Sequence, residues 1–192
     1  MSREVFRPIV ERLVHIGMDR DEAKSFGGSL VRKTYRAKDI IFAEGDLRPD
    51  IVYLLSGYVK MSNIDEQGEE HITIFAGQHD FVGCIQAILY ERPAQYTAEC
   101  ITDCQTIAIS YHRQDVVKSN LRHRDFLHDI IVRHLIGLIR EKTALLPLKA
   151  TQRYLYFRER HPHFTEGIPA GLIANYLGVR PQSLSRIKQN LK

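Results

Sequence analysis

Between Leu30 and Ser110 the chain is interrupted every few residues by Gly, Asp or Asn, and the apolar runs between the interruptions are too short for helices. The runs are Leu30–Tyr35, Ile40–Ala43, Ile51–Leu55, Tyr58–Ile64, His71–Phe75, Tyr96–Ile101 and Gln105–Ser110. Most are rich in β-branched and aromatic residues, which favour the pleated strand. Glu44-Gly45-Asp46, Ser56-Gly57, Glu66-Gln67-Gly68 and Ala76-Gly77 separate them, and glycine supplies the positive φ of tight turns. Many short strands at close spacing predict an antiparallel sandwich or barrel.

The period changes on both sides of this region. Upstream, Val5, Ile9, Leu13 and Ile16 share one helical face, and Asp19-Arg20-Asp21-Glu22 starts a second short helix. Downstream, Leu127, Ile130, Ile131, Leu135, Leu138, Ile139 and Leu145 recur at helical spacing, with no proline before Pro147. A helix of about 20–26 residues spans roughly 30–39 Å, long for a small domain. Its narrow, near-heptad stripe predicts a seam between two copies of the chain. The rival reading is a helix lying lengthwise on its own sheet. The tail reads as three helices: Leu148–Arg160 closed by His161-Pro162, then Pro169–Tyr176, then Pro181–Leu191.

Charge separates the tail from the body. Residues 148–192 hold eight Lys or Arg against two Glu, while the whole chain carries only +4. A basic tail on a mildly acidic body suits a polyanionic partner. No apolar run approaches bilayer length, and the N-terminus has no secretion signal core, so a cytoplasmic location without a membrane partner is expected. Cys84, Cys100 and Cys104 are odd in number and lack the second pair of a structural zinc site, so reduced, buried thiols are expected. His79 and Cys84 are single side chains for which a structural role is the first expectation, so no cofactor is expected. Nucleophile–base pairs, His-Glu-x-x-His spacing and phosphate loops are missing from the sequence, so it does not read as an enzyme.

The stretch from Ile168 to Ile187 carries the most specific signal. Pro169 and Pro181 suit the first turn of a helix, Ala174 is small where two helices cross, and Gly178 suits the turn between them. Leu172, Ile173, Leu177, Val179, Leu184 and Ile187 form the expected core. These are the offsets of a helix-turn-helix. Its second helix presents Gln182, Ser183, Ser185, Arg186 and Gln189 outward, side chains able to read base edges or grip phosphates.

Ala174-Asn175-Tyr176-Leu177-Gly178-Val179 followed by Leu184-Ser185-Arg186-Ile187 resembles the helix-turn-helix of Crp/Fnr regulators, and most of all their short Bacteroidetes-type members. Upstream, Glu44-Gly45-Asp46, Val52 to Val59, Gly68-Glu69-Glu70 and Phe81-Val82-Gly83 resemble, in order, the cyclic-nucleotide-binding β-roll. The resemblance runs from about Leu30 to Lys192. It implies an α+β chain: a β-roll sensor (an antiparallel jelly roll) over residues 1–120, a dimerisation helix over 121–146, and an all-α helix-turn-helix over 147–192 without the wing of longer relatives. The implied activity is transcription regulation by a homodimer on double-stranded DNA, with RNA polymerase as a further partner. Gln182 and Arg186 fall on base-reading positions and Ser183 on a phosphate-contacting one. Ser185 and Gln189 share the exposed face, Arg180 flanks it, and Lys188 and Lys192 are expected to meet phosphates. The competing expectation is a ligand-sensing module that acts on a protein partner without DNA.

The family's phosphate-binding cassette aligns with Gly83 to Tyr96. There Cys84 stands at the ribose-binding Glu position, Ala94 at the phosphate-binding Arg position and Gln95 at the Ser position. Gly83 and Ile85 frame the cassette, and Arg92 is two residues out of register. A buried phosphate without its cation is costly, so the resemblance implies a degenerate site that does not hold cyclic AMP, and an effector of unknown chemistry. No cysteine lies near the N-terminus, where an iron–sulfur member of the family would carry its cluster.

Overall fold

The computed structural model describes residues 6–15, 17–27, 30–47, 49–109 and 121–191. Val5, Ile16 and Lys192, and the expected boundary at residue 120, lie outside them. Two helices come first, α1 (Arg7–His15) and α2 (Arg20–Gly27). Asp19 starts the second as its sequence suggests, accepting the N–H of Asp21 at 2.9 Å and of Glu22 at 3.2 Å through its carboxylate. Eight strands follow: β1 (Val31–Tyr35), β2 (Ile40–Phe42), β3 (Ile51–Ser56), β4 (Val59–Ile64), β5 (Glu70–Ala76), β6 (Phe81–Val82), β7 (Thr97–Cys100) and β8 (Cys104–Ile109), with the short α3 (Ile85–Tyr90) between β6 and β7. The chain ends in α4 (Leu121–Leu145), α5 (Ala150–Arg160), α6 (Pro162–Gly167), α7 (Ala170–Tyr176) and α8 (Pro181–Asn190).

The strands form two antiparallel four-stranded sheets, in the orders β1-β8-β3-β6 and β2-β7-β4-β5. Strand periodicity sorts their side chains. Val52 and Leu54 of β3 point into the sandwich with Val59 and Met61 of β4. Ile51 and Tyr53 point out of the first sheet, where Ile9, Leu13, Met18 and Ala23 of the N-terminal region cover them.

The second sheet is covered on its outer face by the C-terminal helices. A bulge makes this contact. Ser62 pairs with Ile72 while Met61 pairs with Ile74, so Thr73 is the extra residue on β5. The bulge turns both Ile72 and Phe75 outward while Ile74 and Ala76 stay inside. Phe75 then meets Tyr176, Phe164 and Phe157, with ring centroids 5.1, 5.6 and 6.3 Å away. Beside this patch the open edge of β5 is paired by one side chain: Asn175 accepts the Ile72 N–H at 2.8 Å and donates to the Glu70 carbonyl at 2.6 Å.

The structure corrects three sequence expectations. The tail holds four helices, because Pro162 begins α6 as its first residue in addition to closing α5. Leu145, assigned to the apolar seam of α4, is buried among Phe157, Ile173 and Leu184. Pro169 stands one residue before α7, at its N-cap.

The aromatic patch and the Asn175 pairing differ in expected weight. Phe157, 1% exposed, should cost about 3–5 kcal/mol when cut to Ala. Asn175→Ala should cost about 1 kcal/mol, because its position is exposed and water replaces the lost bonds. Urea unfolding of the two variants measures both; equal losses would show that the edge pairing contributes as much as the aromatic patch.

Candidate functional site

Two regions carry the residues singled out by sequence, the interior of the sandwich near α3 and the exposed face of α8. In the first, Cys84 is the N-cap residue of α3 and is 1% exposed. Ala94 is 3% exposed and lies in the same apolar cluster as Phe42, Val52, Leu54, Met61 and Ala87. Tyr96 enters this space from the strand that follows, its ring 5.8 Å from Phe42 and its hydroxyl donating to the Gly83 carbonyl at 2.9 Å. Burial, then the neighbouring Cys84 sulfur, pushes the Tyr96 hydroxyl far above its ordinary range, so it stays protonated. Gly83 and Ile85 are half-buried at this wall, while Arg92 and Gln95 are exposed. The residues brought together are thus apolar, and the two with polar reach are on the outside. A buried cyclic phosphate would require a cation and amide donors, and neither Cys84 nor Ala94 supplies a charge. His79, expected from sequence to be structural, has its Nδ1 2.9 Å from the Tyr53 hydroxyl. Among the described residues no group of three or more His, Cys, Asp or Glu is arranged to hold a metal ion.

The second region is built on a turn. Gly178 has φ +64°, its N–H donates to Asn175 O at 2.9 Å, and the N–H of Val179 donates to Ala174 O at 2.9 Å. This pair of bonds is the Schellman closure of a helix, which needs a left-handed residue where Gly178 stands. Arg153 of α5 strengthens it by donating from its guanidinium to Leu177 O at 3.1 Å and to Leu148 O at 2.9 Å. Arg153 counted toward the basic tail in the sequence; in the structure it caps α7 from within. Pro181 then starts α8 as its first residue. Ile173, Ala174, Leu177 and Leu184 are buried between the helices, with Leu172, Val179 and Ile187 packed at the margin. Gln182, Ser185, Arg186 and Gln189 are exposed along α8, Arg180 is exposed at its N-cap, and Ser183 and Lys188 are half-buried beside them. The outward set expected from sequence is therefore gathered on one helix. Lys192 lies outside the described residues.

A carboxylate joins this unit to the long helix. Glu141 Oε1 of α4 accepts the Tyr176 hydroxyl at 2.7 Å and lies 3.1 Å from His161 Nε2. Burial pushes this carboxyl up, but the bonds from His161 and Tyr176 outweigh it and hold the group below its ordinary range. Sequence reading missed this node and the role of Asn175, since each links residues 20 or more positions apart or pairs a side chain with a distant strand.

Comparison with known proteins follows the same division. Residues 32–115 match the family described as "Cyclic nucleotide-binding domain". No curated protein matches the chain by sequence. Among solved structures, FixK2 from Bradyrhizobium japonicum overlays with a TM-score of 0.74 at 18% identity, covering 84% of this chain and 84% of its own. The c-di-GMP responsive global regulator CLP from Xanthomonas campestris gives a TM-score of 0.69 at 19% identity, over 90% of this chain and 91% of its own. The catabolite activator protein of Thermus thermophilus gives 0.57 at 21% identity, over 93% and 85%. At these identities the likeness is one of fold. No helix among the described residues is long and apolar enough to cross a membrane. The chain thus carries a cyclic-nucleotide-binding-type β-roll followed by helices, in the architecture shared by Crp/Fnr-type regulators.

Proposed function

We propose that this chain is a DNA-binding transcription regulator of the Crp/Fnr type, acting as a homodimer. The observation that carries the reading is the exposed polar and basic face of α8, held at a fixed angle by the Schellman turn at Gly178 and flanked by Arg180. A rigid helix presenting Gln182, Ser185, Arg186 and Gln189 fits the major groove, with Ser183 and Lys188 beside it for phosphates. Arg186 is the base-reading residue of this proposal, because a guanidinium bonds both acceptors of guanine. RNA polymerase is the further partner that such a regulator requires, and the cytoplasm its compartment.

Dimerisation is assigned to α4. Leu135, Ile136 and Ile139 lie together on its surface at 47%, 43% and 56% exposure, an apolar strip that two copies cover by symmetry. The interior near α3 is assigned no cyclic nucleotide, because Cys84 and Ala94 stand where a carboxylate and a cation are needed and Tyr96 bonds across the space. The domain division proposed is sensor 1–120, dimer helix 121–146 and helix-turn-helix 147–192.

The dimer should bind a near-palindromic operator with half-sites about one helical turn, roughly 34 Å, apart. Binding to a library of single-base operator variants tests the site. Arg186→Ala should lose about 1–3 kcal/mol on the best operator and relax preference at one base pair. Lys188→Ala should weaken all sequences alike and flatten the salt dependence. A uniform loss for Arg186→Ala removes its base-reading role, and no binding by the unmodified chain to any operator removes the DNA-binding proposal and favours a protein partner.

Leu135→Asp should shift sedimentation toward monomer, since it places a charge in the apolar strip. An unmodified chain that sediments as a monomer at micromolar concentration contradicts the dimer. In calorimetry cyclic AMP should give no micromolar binding; a micromolar or tighter dissociation constant would reverse the assignment of the interior.

A further inference from the structure

At the C-terminal end of α7, three successive residues are tied to three different elements. The Asn175 side chain reaches the edge of β5, where its Oδ1 accepts the Ile72 N–H at 2.8 Å and its Nδ2 donates to the Glu70 carbonyl at 2.6 Å. β5 is the outermost strand of its sheet, and the amide pairs two groups of its open edge as a further strand would. Only one orientation of the amide suits a donor on one side and an acceptor on the other. Tyr176 is held from α4: its hydroxyl donates to Glu141 Oε1 at 2.7 Å, and the Lys142 ammonium lies 4.7 Å over its ring. Leu177 is held from α5, its carbonyl accepting from Arg153 Nη1 at 3.1 Å.

This end of α7 leads directly into α8. The Asn175 carbonyl accepts the Gly178 N–H at 2.9 Å, and Arg180 is already the N-cap of α8. Ile173, Leu177 and Leu184 share one buried core, so a rotation of α7 on the sheet is passed on to α8. The Arg153 bond lies within the helical unit and moves with it. Asn175 and Tyr176 instead tie the unit to the sheet and to α4. Two separate ties of fixed direction define a pose, whereas one alone leaves a pivot.

We propose that Asn175 is a positioning residue for α8 that sets which spacing between operator half-sites the dimer accepts, a role that rests on the DNA-binding homodimer proposed for this chain. Two-fold symmetry repeats any change in the pose of α8 in both copies, so the separation of the two helices follows the pose on each sheet. Adding one base pair between half-sites moves them about 3.4 Å apart and turns one against the other by about 35°. A pair of α8 helices fixed through Asn175 cannot follow that change. With the sheet tie cut, α7 pivots about Tyr176 while the tilted rings around Phe75 keep it on the sheet. Base preference within a half-site belongs to Gln182, Arg186 and their neighbours on α8, and the cut leaves it as it was.

Two measurements on the full chain test this role. Spin labels at Thr34→Cys on β1 and Asn190→Cys at the end of α8, both exposed positions, report the pose without DNA, since the three native thiols are buried. An excess of unlabelled chain leaves only the distance within one copy. Its distribution should be narrow in the labelled parent, severalfold broader with Asn175→Ala, and unchanged with Asp19→Ala, which loses the cap of α2 on the opposite sheet. Asn175→Asp, equal in size but unable to donate to Glu70 O, should broaden it too. Operators built from the best half-sites at spacings one and two base pairs shorter or longer then report the function. The unmodified chain should lose about tenfold in affinity per base pair of change, and Asn175→Ala no more than about threefold, with the same base preference in each half-site. A distribution in Asn175→Ala or Asn175→Asp as narrow as the parent's would overturn the positioning role. Identical spacing profiles for the unmodified chain and Asn175→Ala would overturn the spacing role. An unmodified chain that binds no operator removes the DNA-binding reading and the spacing role with it, while the label distances still decide whether Asn175 holds α8.

Discussion

The burial of Phe75 beneath Phe157, Phe164 and Tyr176 is the contact on which the two halves of this molecule depend. An antiparallel sandwich needs only its inner faces for a core, and its outer faces are ordinarily wet. Here both outer faces are covered, the first sheet by α1 and α2 and the second by the C-terminal helices. The helices from Ala150 to Asn190 span about 40 residues, near the size at which a single core stops being self-sufficient. Their apolar cluster reaches that size by incorporating Ile72 and Phe75 of the sheet. The one-residue bulge at Thr73 makes both available on the same face, which strict alternation along β5 would forbid.

An interior filled by Phe42, Met61, Cys84, Ala87, Ala94 and Tyr96 is a packed core, and its polar candidates Arg92 and Gln95 face solvent. The same sheet's outer face supplies the seat of the helical unit. Charge follows the same logic. Lys60, 7% exposed on that outer face, is held by Glu70 at 2.6 Å and Glu99 at 3.4 Å, so its burial carries no unpaired cation. Ser62 also donates to Glu70, and although burial pushes that carboxyl up, Lys60 and Ser62 together hold it below its usual range.

Local signals made much of this legible in sequence. The strands between Leu30 and Ser110 announced themselves through glycine turns, α4 through its period, and the α7–Gly178–α8 closure through Ala174, Gly178 and Pro181, because each depends on residues within a turn or two. What stayed hidden depends on contacts distant in the chain. The two-residue β6 exists because Val52 and Tyr53 pair with Val82 and Phe81. Leu145 fits the seam pattern but is claimed by the helical core. Pro162 reads equally as an end and a beginning, and only the packing of Phe164 against Phe75 shows that a helix follows it. Asn175 has no role of its own in the sequence motif, and only the folded chain brings the edge of β5 to its amide.

Among the contacts that hold the helical unit, three unlike ones differ in magnitude, and this orders the ways in which it can move. The Asn175 pairing is exposed, and its two bonds together contribute about 1 kcal/mol net. The Glu141 node ties α4 to α7 through Tyr176 and to the start of α6 through His161. The aromatic patch combines four rings in five pairs with centroids 5.1 to 6.4 Å apart, each such pair adding about 0.5–1.5 kcal/mol to the area it buries. A perturbation of a few kcal/mol can therefore break the polar ties while the rings stay together. Tilted rings have no single required register, whereas Asn175 and Glu141 fix one orientation through directed hydrogen bonds. The apolar contact thus sets whether the unit stays on the sheet, and the two polar contacts set the angle at which α8 is presented.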